Sequence, residues 1–296
     1  MHVFVTGATG WIGSAVVDEL LDAGHEVTGL ARSDASAATL ERKGARVRRG
    51  DLDDLAGLRA GADEAEAVIH LANKHDWANP AESNRAERAA VETFADALTG
   101  TGRAFVLAAG LSTLATGRPA AETDLSPAVG PDSHRGGSEN LALEYAEKGM
   151  RVISARFAPS VHGVGDHGFV SGLVAAARKH GVSGYLGDGT KAWAAVHRTD
   201  AARLVRLGLE GAPTGSLLHA VAEEAVTTKE IAEAVGRMLD VPVVSVAPEN
   251  GAEHFGFVGR FFALDMSASS EHTRELLKWA PFGPTLAGDI EAGAYA

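Results

Sequence analysis

The chain has 296 residues, 45% of them hydrophobic, with 27 Lys and Arg against 39 Asp and Glu, a net charge of −12, and no cysteine. The length suits one large α/β unit or two domains that share an interface. The acidic balance argues against nucleic acid and against an anionic membrane surface, and the missing thiols exclude disulfides, thiol catalysis and cysteine-ligated metals. No apolar run approaches a membrane span and no signal-like segment precedes the first strand, so a cytoplasmic protein is expected.

In chain order, Val3-Phe4-Val5 predicts a strand that runs into Thr6-Gly7-Ala8-Thr9-Gly10-Trp11-Ile12-Gly13 and then a helix from Ser14 to Ala23. Strand, glycine turn and helix together predict a dinucleotide site. Gly7 permits the tight turn, Gly10 lets backbone approach a pyrophosphate, and Gly13 lets helix and strand pack closely. Free N–H groups at the helix start, with Thr9, Trp11 and Ile12 beside them, then attract phosphate. Glu26–Ala31 predicts a second strand, Ser36–Lys43 a helix ended by Gly44, Arg46–Arg49 a third strand and Leu55–Ala60 a helix. Ala67–Leu71 predicts a fourth strand, Glu82–Leu98 a long helix, Arg103–Ala108 a fifth strand, Ser138–Lys148 a helix ended by Gly149, and Arg151–Ala155 a sixth strand. Strands spaced by helices imply right-handed crossovers in a parallel sheet, which binds ligands at the carboxyl ends of its strands.

Further along, Gly163–Gly168 is a glycine-rich loop, Phe169–Lys179 a helix, Gly187-Asp188-Gly189 a turn and Ala192–Val196 a strand. Thr199–Gly211 predicts a helix with Thr199 or Asp200 at its N-cap. Ser216–Ala220 predicts a strand, Thr228–Leu239 a helix capped by Thr227, and Glu271–Trp279 a helix. The expected fold is α/β: a Rossmann-type doubly wound parallel sheet with a smaller C-terminal α/β substrate-binding part. Residues 1–160 form the nucleotide-binding core, 192–222 return to it, and 161–191 with 223–296 form the substrate part.

Cofactor choice rests on the end of the second strand. An acid there accepts from a ribose 2′-hydroxyl, whereas a base accommodates a 2′-phosphate. Arg32 and Ser33 stand there, which favours NADP(H) over NAD; the alternative makes Arg32 a solvated arginine and gives the hydroxyl to Asp34. Asp51 and Leu52 are placed at the adenine edge, and Leu71, Ala72 and Asn73 beside the pyrophosphate and ribose.

These segments resemble the short-chain dehydrogenase/reductase superfamily, in its extended and atypical branches of the NAD-dependent epimerase/dehydratase type. TGATGWIG is similar to the family's phosphate loop. Gly50-Asp51-Leu52 is similar to its adenine-side segment and His70-Leu71-Ala72 to its fourth-strand end. Arg156–Gly163 resembles the nicotinamide-side segment, and Gly187–Asp200 a substrate-domain stretch. The resemblance implies an oxidoreductase acting on a small organic carbonyl, imine or enone, with Ala108, Ala109, Pro159, Ser160 and Val161 near the cofactor. It also implies a homodimer paired through Glu82–Leu98 and Ser138–Lys148. A nucleotide-sugar epimerase or dehydratase, or a non-catalytic cofactor-binding sensor, are the other readings.

The chain departs from the family at its catalytic centre. None of its three tyrosines, Tyr145, Tyr185 and Tyr295, has lysine four residues on. The resemblance puts His134 at the tyrosine position, Ser138 at the lysine position and Ser112 near the substrate-orienting serine. Histidine titrates near ~6.5 and tyrosine near ~10, so His134 can exchange protons at neutral pH without a lysine partner. A helix through residues 134–138 would put His134 and Ser138 on one face, although Gly136-Gly137 disfavours a helix interior. Lys74, His75, Trp77, His162 and Trp193 are candidate substrate-pocket residues. The histidine spacing carries no metal-binding pattern, so no metal is expected.

Overall fold

The computed structural model describes Met1–Ala296. Its first part alternates β1 (His2–Thr6), α1 (Trp11–Asp22), β2 (Glu26–Ala31), α2 (Asp34–Lys43), β3 (Arg46–Arg49), α3 (Leu55–Glu64), β4 (Ala67–His70), α4 (Pro80–Leu98), β5 (Ala104–Gly110), α5 (Ser138–Glu144) and β6 (Arg151–Phe157). There follow β7 (Ser160–His162), α6 (Phe169–His180), β8 (Ser183–Leu186), β9 (Ala192–His197), α7 (Arg198–Gly211), β10 (Ser216–Ala220), β11 (Glu223–Thr227), α8 (Thr228–Leu239) and β12 (Val243–Val246). Four short helices close the chain: α9 (Gly251–Phe255), α10 (Gly259–Phe262), α11 (Glu271–Leu277) and α12 (Leu286–Glu291).

Seven parallel strands form the main sheet in the order β10-β6-β5-β4-β1-β2-β3. The order reverses between β1 and β4, which sets the ligand crevice at their carboxyl ends. Both faces of the central strands are covered, as their unbroken apolar runs require. Val3 and Val5 pack toward α1, α2 and α7, while Phe4 packs toward α3 and α4. A third core lies under the C-terminal part, between α6, α8 and α12 and around Trp193.

The small part holds a three-stranded sheet, β11-β9-β7, and a parallel pair, β12-β8. Its shortest strands were not read from the sequence. Ser160-Val161-His162 and Ser183–Leu186 offer only three and four residues, too few for a periodic signal. β9 pairs with β7 and β11 while its Ala194 and Val196 pack into the main core, and β10 joins the main sheet beside β6. α7 is capped by the His197 side chain, which accepts from the Thr199 N–H at 3.4 Å, in place of Thr199 or Asp200. α8 has the predicted Thr227 cap, with Glu230 completing a reciprocal capping box. No helix is long and apolar enough to cross a membrane.

A buried ion pair fastens α5 to the sheet. Arg156 on β6 is fully enclosed and donates to Glu139 through Nε at 2.7 Å and Nη2 at 3.1 Å. Its Nη1 donates to the Asp124 carbonyl at 2.7 Å, and Ser154 donates to the same carboxylate of Glu139. Removing one partner strands the other charge in low dielectric. Glu139→Ala should therefore lower the unfolding free energy by about 3–5 kcal/mol. Urea denaturation checks it, and a loss below about 1 kcal/mol would contradict the burial of this pair.

Candidate functional site

The crevice is built on glycines that the backbone demands. Gly7 has φ +68°, and a Cβ there would sit 2.7 Å from the Ala72 nitrogen. A Cβ on Gly13 would sit 2.0 Å from the Gly7 carbonyl oxygen, so the first turn of α1 closes directly onto the loop. Gly10 caps α1 with no side-chain acceptor, which leaves the first-turn N–H groups facing the crevice. Thr6 locks the adjacent strand ends together: its hydroxyl lies 2.7 Å from His70 Nδ1 and accepts from the Ala72 N–H at 3.3 Å.

A cleft of about 850 Å³ opens above this loop. It is lined by Gly7, Thr9, Gly10, Trp11, Ile12, Arg32, Asp51, Leu52, Leu71, Ala72, Asn73 and Ala108, together with Lys74 and His75. Sequence reasoning missed Ser36, Asp53, Asp76 and Phe157, which line it too, as does His167 of the glycine-rich loop. The Trp11 indole donates to the Val161 carbonyl at 2.7 Å, packs edge-on to His167, and carries the Arg198 guanidinium 4.3 Å above its ring. Val161 thus supports the cleft wall, with Ser160 buried beside it on β7; neither these two nor Pro159 lines the cleft.

At the end of β2, Arg32, Ser33, Asp34, Arg49 and Asp51 border an adjoining hollow of about 410 Å³. Ser33 caps α2, accepting from the Ser36 N–H at 3.2 Å. Asp34 is ion-paired to Arg49, whereas Arg32 is exposed and makes no ion pair. Arg49 ends the basic run Arg46–Arg49, the one sequence signal that pointed to it.

Ser112, His134 and Ser138 meet around a recess of about 70 Å³, with Ala109 in its wall and Ala108 shared with the large cleft. The backbone differs from the expected helix. Arg135, Gly136 and Gly137 have φ of +53°, +62° and +65°, so a left-handed turn precedes α5 and the right-handed helix starts at Ser138. His134 and Ser138 therefore do not share a helix face. The Ser138 hydroxyl donates back to the Arg135 carbonyl at 2.6 Å, closing the turn. α5 ends at Glu144, short of the predicted Lys148.

Helix α4 holds that turn in place. The Arg135 N–H donates to Asn84 Oδ1 at 2.9 Å, Arg88 donates to the Gly136 carbonyl at 2.9 Å, and Arg135 Nη2 donates to Glu87 at 2.6 Å. Glu87 is buried, accepts from Asn73 Nδ2 at 3.2 Å, and lies 3.7 Å from His70 Nε2. His134 reaches solvent at the rim. The protein around its ring, and then the Arg135 charge, lower its pKa below the ordinary histidine value.

Three expected pocket residues lie elsewhere. Trp193 is fully buried, with its indole donating to the Phe261 carbonyl at 3.2 Å, so it is core. His162 is also buried; its Nδ1 lies 2.6 Å from Asp289 on α12, a partner 127 residues away that no local pattern announces. Trp77 stands outside the cleft, half-exposed beside Phe257. Tyr295 donates to Asp166 at 2.7 Å, so the C-terminal segment grips the loop that carries His167.

Comparison with known proteins agrees with this arrangement. Residues 3–216 match the sequence model of the NAD dependent epimerase/dehydratase family. The chain is 42% identical over 295 residues to the uncharacterized protein C2A9.02 of Schizosaccharomyces pombe, covering 100% of both chains. It is 43% identical over 296 residues to the uncharacterized protein YLL056C of Saccharomyces cerevisiae, covering 99% of this chain and 98% of that one. A solved UDP-glucose 4-epimerase with UDP-glucose from Thermotoga maritima shares the fold, with a TM-score of 0.77 at 19% identity over 100% of this chain and 98% of that one.

Three enclosed histidines set a pH dependence. Burial lowers the pKa of His70, His162 and His219, so the folded chain holds them neutral. The unfolded chain takes up protons near pH ~6.5. It then binds more protons than the folded chain, and stability falls as the pH drops from 7 toward 5. Calorimetric melting in high salt, which screens the net charge, should give a lower midpoint at pH 5 than at pH 7. An equal or higher midpoint would mean that these rings are protonated in the fold.

Proposed function

Because the chain belongs to the NAD-dependent epimerase/dehydratase family, we propose that it is an oxidoreductase that uses NADP(H) for hydride transfer to or from a small organic carbonyl. One observation carries this reading. The cleft begins at a glycine loop under a free helix N-terminus and ends at Ala108, which also borders the recess of Ser112 and His134. The backbone cradle fits a dinucleotide, since a side chain at Gly7 or Gly13 would collide with the loop itself.

Each part of the chain then has a task. The α1 N-terminus and Gly10 receive the pyrophosphate. Arg32, with Arg49 across the hollow, meets a 2′-phosphate. Asp34, already paired with Arg49, is drawn away from a ribose hydroxyl. Leu30 and Leu52 flank the adenine side, and Ala72 and Asn73 the central part. The dinucleotide, when bound, supplies or accepts a hydride at its nicotinamide. Ser112 orients the carbonyl oxygen, and His134 gives or takes the proton there. Arg135, which follows His134 and lines the same recess, is held by Glu87 and so positions His134.

Calorimetry should show that the protein prefers NADPH to NADH. Arg32→Ala should weaken NADPH by about tenfold or more and leave NADH unchanged, as loss of a charge-assisted contact implies. Equal affinity for both in the unaltered protein would overturn the 2′-phosphate assignment. NADPH consumption with a panel of aldehydes and ketones tests the chemistry. His134→Asn should slow it by about 10²–10⁴-fold with cofactor affinity retained. In the unaltered protein the rate of reduction should fall as pH rises through a midpoint below the ordinary histidine value, because the acid form is the one needed. A pH-independent rate, or full turnover in His134→Asn, would remove His134 from the reaction.

A further inference from the structure

Beyond His75 the rim of the cleft carries aromatic rings that the cofactor site does not use. His75 lines the cleft, and its ring centre lies 6.2 Å from that of Trp77. Trp77 lies 4.9 Å from Phe257 and 6.0 Å from Phe261, and Phe261 stacks on Phe169 at 4.6 Å. The rings come from two separate stretches of chain. Trp77 is in the loop between β4 and α4, while Phe257 and Phe261 are in the segment around α10. The loop is bent toward them at His75, a non-glycine residue with φ +50° whose N–H is held by Asn73 Oδ1 at 2.8 Å. Trp77 is 52% exposed and Phe257 42%, so their ring surfaces are only partly covered by each other. Adjacent exposed aromatics at the mouth of a cleft mark a surface that a ligand covers.

Charge narrows the ligand. The cations bordering this end are engaged. Lys74 sits 2.9 Å from both Asp53 and Glu82, and Arg135 sits 2.6 Å from Glu87. His75 is kept neutral by the protein around it and by Arg135. Arg260, exposed on α10 next to Phe261, makes no ion pair, and Arg198 lies against the Trp11 ring farther along the cleft wall. A diphosphate would need several unpaired donors, whereas a flat apolar group needs only the rings.

Resting on the oxidoreductase reading, we propose that the substrate is an aryl or conjugated aldehyde or ketone whose flat uncharged part lies against Trp77, Phe257 and Phe261 while its carbonyl points to the Ala108 end of the cleft. In its reduction the carbonyl carbon takes a hydride from NAD(P)H, the C=O π pair moves to oxygen, and oxygen takes a proton. The products are the alcohol and NAD(P)⁺.

The test is binding to the protein saturated with oxidised cofactor, where no reduction occurs. Benzylideneacetone, butan-2-one and UDP-glucose are titrated by calorimetry. Benzylideneacetone should bind at least about tenfold more tightly than butan-2-one. Trp77→Ala should abolish that preference, Trp77→Phe should restore part of it, and Arg260→Ala should not change it. Cofactor affinity reports that each variant is folded. Equal binding of the two ketones, an undiminished preference in Trp77→Ala, or tighter binding of UDP-glucose that Arg260→Ala weakens would each overturn the proposal. Aryl selectivity that depends on Trp77 without any NAD(P)H consumption would uphold the substrate surface and remove the oxidoreductase reading. Consumption with small aliphatic ketones and no aryl preference would do the reverse.

Discussion

The carboxylate of Glu87 is buried in the middle of α4, and three side chains from two separate stretches of chain converge on it. Arg135 reaches it from the turn before α5, Asn73 from the loop after β4, and His70 stands over it from the end of β4. A negative charge so enclosed is tolerable only while those partners stay in place. The arrangement therefore works in both directions. The partners satisfy the carboxylate, and the carboxylate fixes where the partners stand. Because Asn73 borders the cleft and Arg135 follows His134, one ion fixes the distance between the cofactor-side wall and the recess.

The same logic explains how a short loop-rich connection can hold a defined shape. Residues 111–133 contribute no regular element, and the left-handed turn that follows them is costly at Arg135, which has a Cβ. α4 compensates with a row of contacts from Asn84, Glu87 and Arg88, one helical turn in length. Gly136 is needed there because a Cβ would meet the Asn84 carbonyl oxygen at 2.6 Å. On its far side, Glu139 with Arg156 ties the start of α5 to β6.

What could be read from the sequence follows from range. The strand, glycine turn and helix at the N-terminus are a local pattern, and so is the alternation that builds the main sheet. Asp51, Leu71 and Ala72 were placed by a rule about strand ends, which holds wherever a parallel sheet forms. The left-handed turn was invisible, since its stabilising partners lie about fifty residues upstream. His162 and Trp193 were misjudged for the same reason. A histidine in a glycine-rich neighbourhood looks available until Asp289 is seen beside it, and an aromatic in the apolar six-residue strand β9 gives no hint of which side is solvent. Arg49 needed the geometry of two strand ends at once before its pairing with Asp34 had meaning.

The left-handed turn also has a bearing on descent and redesign. On a right-handed helix two side chains four residues apart are neighbours, with Cβ atoms about 5–6 Å apart. Between positions 134 and 138 the backbone runs the other way and is pinned there by α4. Writing tyrosine at 134 and lysine at 138 would thus put the familiar letters back without their spacing. Restoring that spacing would require the helix partner to change as well, since Asn84, Glu87 and Arg88 hold the turn.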